Sequence, residues 1–215
     1  MNLKRFFAAI FAAAILSISF LACDPKEDDP TTNPTPSTDV VKEIYGYYGK
    51  TTDEVVAILD QKGWTKSIDS ASYRVTYTYL SSDSLKSYEI LSYNNYITGT
   101  IYTEREKKLN NYTKATSNTD KFISLFEKWE NSLSNVGIAT QGYFGKLTAE
   151  DHAFNQQYND RMLFLENFNA KKSSLNSAIS SFFGNQMSGE CSLLIDTLNN
   201  NSCVSIRFMD NLIIE

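Results

Sequence analysis

All four prolines of this 215-residue chain stand at positions 25, 30, 34 and 36, and the 179 positions after Pro36 hold none. Proline breaks helix interiors and central strands. Its confinement to one stretch therefore divides a segment that cannot be regular from a long one that can. Between Cys23 and Val40 the neighbours are Asp, Thr, Asn, Ser, Lys and Glu, with no large apolar residue. Such a segment cannot bury enough surface to offset its ordering entropy, so residues 23–39 read as an extended tether. At ~3.1 Å per extended residue it holds the span 40–215 some tens of ångströms away from Cys23. That span is long enough for one domain with a real core.

The first 22 residues have the three zones of a secretory signal: Lys4 and Arg5, an apolar run from Phe6 to Leu21, and small Ala22 before Cys23. The apolar run, 16 residues long, is short of the ~20 that a spanning helix needs. Removal of residues 1–22 takes the formal charge from −5 to −7, because Lys4 and Arg5 leave with them. An acidic chain argues against nucleic acid and anionic lipid headgroups as partners.

The Ala22-Cys23 ending resembles the lipobox of bacterial lipoproteins, although Phe20 and Leu21 stand where that box prefers Leu and a small residue. Asp24-Pro25-Lys26-Glu27-Asp28-Asp29 resembles the acidic, Lys-led segment behind the acylated Cys in surface lipoproteins of Bacteroidetes. The resemblance implies acyl chains such as palmitate at Cys23, a partner in the outer membrane, and display at the cell surface. Several acyl chains anchor firmly, each buried methylene contributing ~0.8 kcal/mol.

Within 40–215 both periods occur. Thr51-Thr52-Asp53-Glu54 is a capping box, leading into a short helix with Val55, Val56, Ile58 and Leu59 and a stop at Gly63. Tyr73, Val75, Tyr77 and Tyr79 alternate as one buried face of a strand, and Ser81 to Ser84 form a turn. Asn94-Asn95 is the turn of a hairpin. In that register Tyr93 faces Tyr96, Ile90 faces Gly99 and Tyr88 faces Ile101, so Tyr88, Ile90, Ile97 and Ile101 share the core side. Phe122, Leu125, Phe126, Trp129, Leu133 and Val136 keep helical spacing up to Gly137. From Thr148 to Phe183 there is neither Gly nor Pro, and Phe154, Tyr158, Met162, Leu165, Leu175, Ile179 and Phe182 predict one long helix or two divided near Asn167. A second hairpin runs from Cys191 to Leu198 and from Cys203 to Phe208.

The fold expected is α+β, an antiparallel sheet of hairpins packed against two or three helices. Gly46 to Glu54 and Gly142 to Glu150 echo one another in sequence, which points to a tandem helix-then-hairpin duplication with units near 46–105 and 142–215. In the second hairpin, Cys203 falls opposite Thr197 and Cys191 opposite Met209. An exported chain with two remaining cysteines invites a disulfide. This register, however, sets the thiols about 20 Å apart at strand rise, and a disulfide needs Cα atoms within ~7 Å. The hairpin therefore predicts free thiols, and a linked pair would exclude it.

Chemistry is sparse. His152 is the only histidine, and it sits beside Glu150 and Asp151 without a nucleophile elbow or metal-ligand spacing. Glu104 and Glu106 flank Arg105 after a strand, a place where glycosidase acids sit, but nothing in the chain sets their separation. The glycines form no phosphate-binding loop and no Cys-x-x-Cys occurs, so no cofactor, metal or catalytic residue is assigned. Asp69-Ser70-Ala71, Asp83-Ser84-Leu85 and Asp196-Thr197-Leu198 resemble the O-glycan acceptor motif of Bacteroidetes.

Eleven of the thirteen tyrosines fall between Tyr45 and Tyr112. On the first hairpin, Tyr93, Tyr96 and Tyr102 share the face opposite the apolar one. Either they are exposed, to stack on sugars or anchor a protein, or helix 120–136 covers them as core. The functional expectation is a non-catalytic binding or interaction module for a glycan or protein, displayed by a lipid anchor. A carboxylate-dependent hydrolase and a small inhibitor or envelope-assembly factor are the alternatives.

Overall fold

The computed structural model describes residues 39–71, 73–107, 116–135, 140–149, 155–196 and 201–211. The described elements are α1 (Val40–Tyr45), α2 (Thr52–Asp60), β1 (Thr65–Ala71), β2 (Arg74–Leu80), β3 (Lys86–Tyr93) and β4 (Tyr96–Lys107). Next come α3 (Thr116–Asn135), β5 (Thr140–Ala149), β6 (Asn155–Tyr158), α4 (Arg161–Lys171), β7 (Leu175–Gly184), β8 (Met187–Asp196) and β9 (Asn201–Asp210). The strands form one antiparallel sheet in the order β1-β2-β3-β4-β9-β8-β7-β5-β6. Helices on an antiparallel sheet are what the sequence led one to expect, but the chain is richer in strand, and the described helices number four.

Local chemistry sets the helix starts. Asp39 accepts the amides of Val41 and Lys42 to cap α1. At α2 both halves of the capping box form: the Thr51 amide donates to Glu54 at 2.7 Å, and the Glu54 amide donates back to the Thr51 hydroxyl at 3.3 Å. Gly63, at φ +66°, turns the chain out of this helix towards β1.

Register places all four helices on one face. Phe208 pairs with Thr100 and Gly189, and Ile206 with Tyr102 and Cys191, which defines one side of the central strands. Against that side lie Ile44 of α1, whose carbonyl accepts the Thr100 hydroxyl, and Tyr45, whose ring meets Phe208 edge-on at 5.5 Å. Trp129 of α3 packs tilted against Phe182 with ring centroids 4.8 Å apart, and Phe164 of α4 meets Tyr143 at 5.9 Å. Tyr79 of β2 donates to Asp60 at the end of α2. The core is this single layer between helices and sheet, built on Phe122, Phe126, Trp129, Phe164, Phe168, Ile206 and Phe208, all fully buried. Among the described residues, no helix covers the other face.

Three expectations are corrected. Where 148–183 is described, the expected long helix is instead the end of β5, β6, α4 and β7, and among those described residues only Arg161–Lys171 is helical. The helical spacing was fortuitous because β7 is a central strand whose inward positions include small Ala178 and Ser180, so its alternation carries little apolar contrast. In the first hairpin, Tyr93 faces Tyr96 as expected, and Asn94 and Asn95 take φ of 49° and 63°. A bulge at Thr98 then shifts the register, so that Leu91 faces Gly99, Ile90 faces Thr100 and Tyr88 faces Tyr102. One extra residue moves the rest of β4 to the opposite face: Ile101 leaves the core side and Tyr102 enters it. In the second hairpin Cys203 faces Leu194 and Cys191 faces Ile206. That register sets Leu193 against Val204, apolar against apolar, which the expected one did not.

The sequence echo also falls on unlike structures. Gly46 to Glu54 spans a turn and the start of α2, whereas Gly142 to Ala149 lies in β5. The strand order nonetheless has two halves. The meander β1-β2-β3-β4 enters from one edge and β7-β8-β9 from the other side, and their last strands, β4 and β9, pair at the centre.

Candidate ligand-binding face

The uncovered face carries the side chains of alternate positions opposite the core. Much of it is hydroxyl-rich and internally satisfied. Thr103 and Ser205 bond across β4 and β9 at 3.0 Å, Arg105 donates to Ser87 at 2.9 Å, and Arg207 pairs with Glu190 at 2.7 Å. Arg74 differs: its backbone pairs with Ala71, but its guanidinium has no hydrogen-bond or ion-pair partner among the described residues, and it stands at the start of β2 where several hairpin ends converge.

There a half-open trough of about 520 Å³ is lined by Tyr73, Arg74, Tyr93, Phe183, Ser188 and Met209, among others. Its aromatic members are exposed: Tyr73 by 77%, Phe183 by 48% and Tyr93 by 38%. They come from the β1–β2 turn, the end of β7 and the end of β3, brought together by sheet order alone.

Both walls are held from behind. On the Tyr93 side, the Asn95 carbonyl accepts the Thr52 amide at 3.1 Å and the Asn95 side chain reaches Asp53 at 3.4 Å, tying the hairpin tip to the start of α2. Thr51 and Tyr96 form a bridge there as well. On the Phe183 side, the Asn211 side chain donates to the Gly184 carbonyl at 2.7 Å, and its amide donates to Gln186 at 2.9 Å.

Of the three tyrosines expected to share a face, Tyr93 and Tyr96 do, and Tyr96 is 68% exposed. Tyr102 is on the other side, 4% exposed, with its ring 5.0 Å from that of Tyr88. Its hydroxyl donates to Glu104 at 2.6 Å. Burial, then this carboxylate, pushes its pKa up. Helix α3 lies over β8 and β9 and does not cover Tyr93 or Tyr96. Tyr73 and Phe183 were missed, the first assigned to a buried strand face and the second to a helix end. The turn-prone Ser70-Ala71-Ser72 before Tyr73 was the one local signal for its exposure.

Of the carboxylates considered for hydrolysis, Glu104 is engaged within the fold. Glu104 and Glu106, two apart on β4, belong to the helix-covered face, while Arg105 between them is on the open one. Burial raises the Glu104 carboxyl, but the Tyr102 hydroxyl and the Lys121 ammonium at 3.1 Å outweigh it and hold the carboxyl below its ordinary range. A general acid requires the opposite direction. Glu43 of α1 accepts from Tyr47 at 2.7 Å and Tyr88 at 2.8 Å and pairs with Lys62 at 2.8 Å, clasping α1 and the end of α2 to β3.

Among the described residues, no group of three or more His, Cys, Asp or Glu is placed to hold a metal ion. No described helix is long and apolar enough to cross a membrane. Cys23, His152 and Thr197 lie outside the described residues. Ser70 lies on the edge strand β1, exposed, and Ser84 in the β2–β3 turn. Cys191 and Cys203 are free thiols. They point to opposite faces of the sheet, and their partner positions are three residues apart, about 10 Å at strand rise. The expected free state therefore stands on a corrected register. No family model, curated protein or solved structure matches this chain.

Proposed function

We propose that this chain is a non-catalytic binding module, held at the outer membrane surface through lipid on Cys23, that takes its ligand on the uncovered face of the sheet. The observation that carries this reading is the asymmetry of the sheet. Every described helix packs on one face, and the other ends in a trough walled by Tyr73, Tyr93 and Phe183. Exposed aromatics on strands and a turn held by backbone bonds supply binding area at a reduced ordering cost. The Lys-led acidic segment after Cys23 supports surface display, and the proline-rich tether supports reach from the membrane.

The test has two parts. Cys23→Ser should move the protein from the membrane to the soluble fraction; a mutant still resisting carbonate extraction would overturn the anchor. Tyr93→Ala with Phe183→Ala should abolish capture of ligand by intact cells while surface protein level, read by external protease, stays unchanged. Undiminished capture would overturn the binding face.

A second reading is favoured by one observation. The two meanders meeting at β4 and β9 suit a tandem duplication, the arrangement for which an inhibitor or envelope-assembly factor was considered. Such a factor would use the open face for a protein. A carboxylate hydrolase gains no support, since Glu104 is engaged by Tyr102 and Lys121.

A further inference from the structure

We infer that the trough is a saccharide site: a short neutral oligosaccharide lies along it, ring faces against Tyr73, Tyr93 and Phe183, hydroxyls meeting Arg74 and Ser188. The inference rests on the binding-face reading above and names the class of its ligand.

Arg74 presents an unengaged guanidinium to the trough. A guanidinium offers five N–H donors in a planar fork. On this face Arg105 and Arg207 have their forks engaged by Ser87 and Glu190, whereas Arg74 has no partner among the described residues. An unengaged fork beside three aromatic rings is suited to a ligand that is rich in oxygen and also has an apolar surface. A pyranose is such a ligand: its C–H faces stack on aromatic planes while its hydroxyls radiate from the edge.

Size and rigidity point the same way. The volume, about 520 Å³, lies within the roughly 300–1,000 Å³ of small-molecule sites. A stable protein interface needs about 800 Å² on each partner, far more than such a trough supplies by itself. It is half-open, so a ligand can enter it from solvent. The clamps at Asn95 and Asn211 fix the two walls before any ligand arrives, the condition under which weak stacking contacts add to affinity rather than being spent on ordering. The acidic balance of the chain, −5 overall, disfavours a polyanionic polymer, which selects the neutral class.

The full lipidated chain in detergent is titrated by calorimetry with short glucan, mannan, xylan and galactan oligosaccharides, and with uronate oligosaccharides as the acidic counterpart. At least one neutral series should bind. Tyr93→Ala and Phe183→Ala should each weaken it about three- to tenfold, and Arg74→Ala about tenfold or more. Met162→Ala, exposed on α4 across the sheet, should leave affinity unchanged. All four positions are solvent-facing, and circular dichroism should confirm that the variants fold. Binding of uronates alone, lost in Arg74→Ala, would overturn the neutral class and keep the trough. Absence of any saccharide binding, with ligand capture by cells still lost in the Tyr93→Ala, Phe183→Ala variant, would overturn the saccharide and keep the binding face. Capture and titration both unaffected by the trough variants would overturn both.

Discussion

Two glycines on opposite faces of the sheet test the one-sided packing directly. Gly189 of β8 faces the helices, and a Cβ built there would meet the Trp129 ring at 2.5 Å from Nε1, 2.8 Å from Cζ2 and 2.9 Å from Cε2. Ordinary contact begins near 3.4 Å, so the overlap approaches 1 Å with a rigid ring. Trp129 cannot swing away, being fully buried between Phe126 at 6.0 Å and Phe182 at 4.8 Å. Overpacking a closed core in this way costs about 1–3 kcal/mol, and the lack of slack around Trp129 places Gly189→Ala at the upper end. Gly142 of β5 is on the open face, and a Cβ there meets nothing within 4 Å. Gly142→Ala should be neutral or stabilise by up to about 1 kcal/mol, through the entropy of the unfolded chain. Urea denaturation monitored by tryptophan fluorescence separates the two. With a slope near 2 kcal/mol per molar urea, the midpoint of Gly189→Ala should fall by about 1 M while that of Gly142→Ala stays or rises. Equal midpoints for the two variants would refute the packing of α3 on this face.

Tyr102→Phe should destabilise by about 1–2 kcal/mol, because it strips a donor from the half-buried Glu104, whereas Tyr93→Phe should change urea stability by less than about 0.5 kcal/mol. Glu104 has a depressed folded-state pKa, so its contribution is present above the unfolded value and lost as pH falls through the folded one. Glu104→Gln should therefore flatten the acid limb of the stability profile below the ordinary carboxylate range; an unchanged limb would refute the assignment. Unreduced, alkylated protein should show Cys191 and Cys203 as separate thiols by mass spectrometry, Cys191 reacting only after unfolding because burial pushes its thiol pKa up. A linked peptide pair would refute the β8–β9 register.

What the sequence determined by itself was local. The Thr51–Glu54 capping box, the Asn94-Asn95 turn and the apolar stripe of α3 from Phe122 to Trp129 depend on neighbours within one or two turns of chain, and each formed where its residues announced it. Val136 and Gly137, where that stripe was expected to end, lie outside the described residues. Hairpins under helices came from those parts. Tertiary structure decided what depends on distant partners. The bulge at Thr98 fits β4 between β3 and a strand from the far end of the chain, and it sends Tyr102 inward while Tyr96 on the same strand stays outward. Residues 175–184 became a strand because β5 and β8 flank them, with Gly145 and Gly189 leaving room for the rings of Phe164 and Trp129. The trough has no sequence signature, since Tyr73, Tyr93 and Phe183 belong to separate hairpins: the pairing of β2 with β3 brings Tyr73 to Tyr93, and that of β4 with β9 brings in Phe183. Local free energies select turns and caps, but only pairing across the sheet selects which side chains share a face.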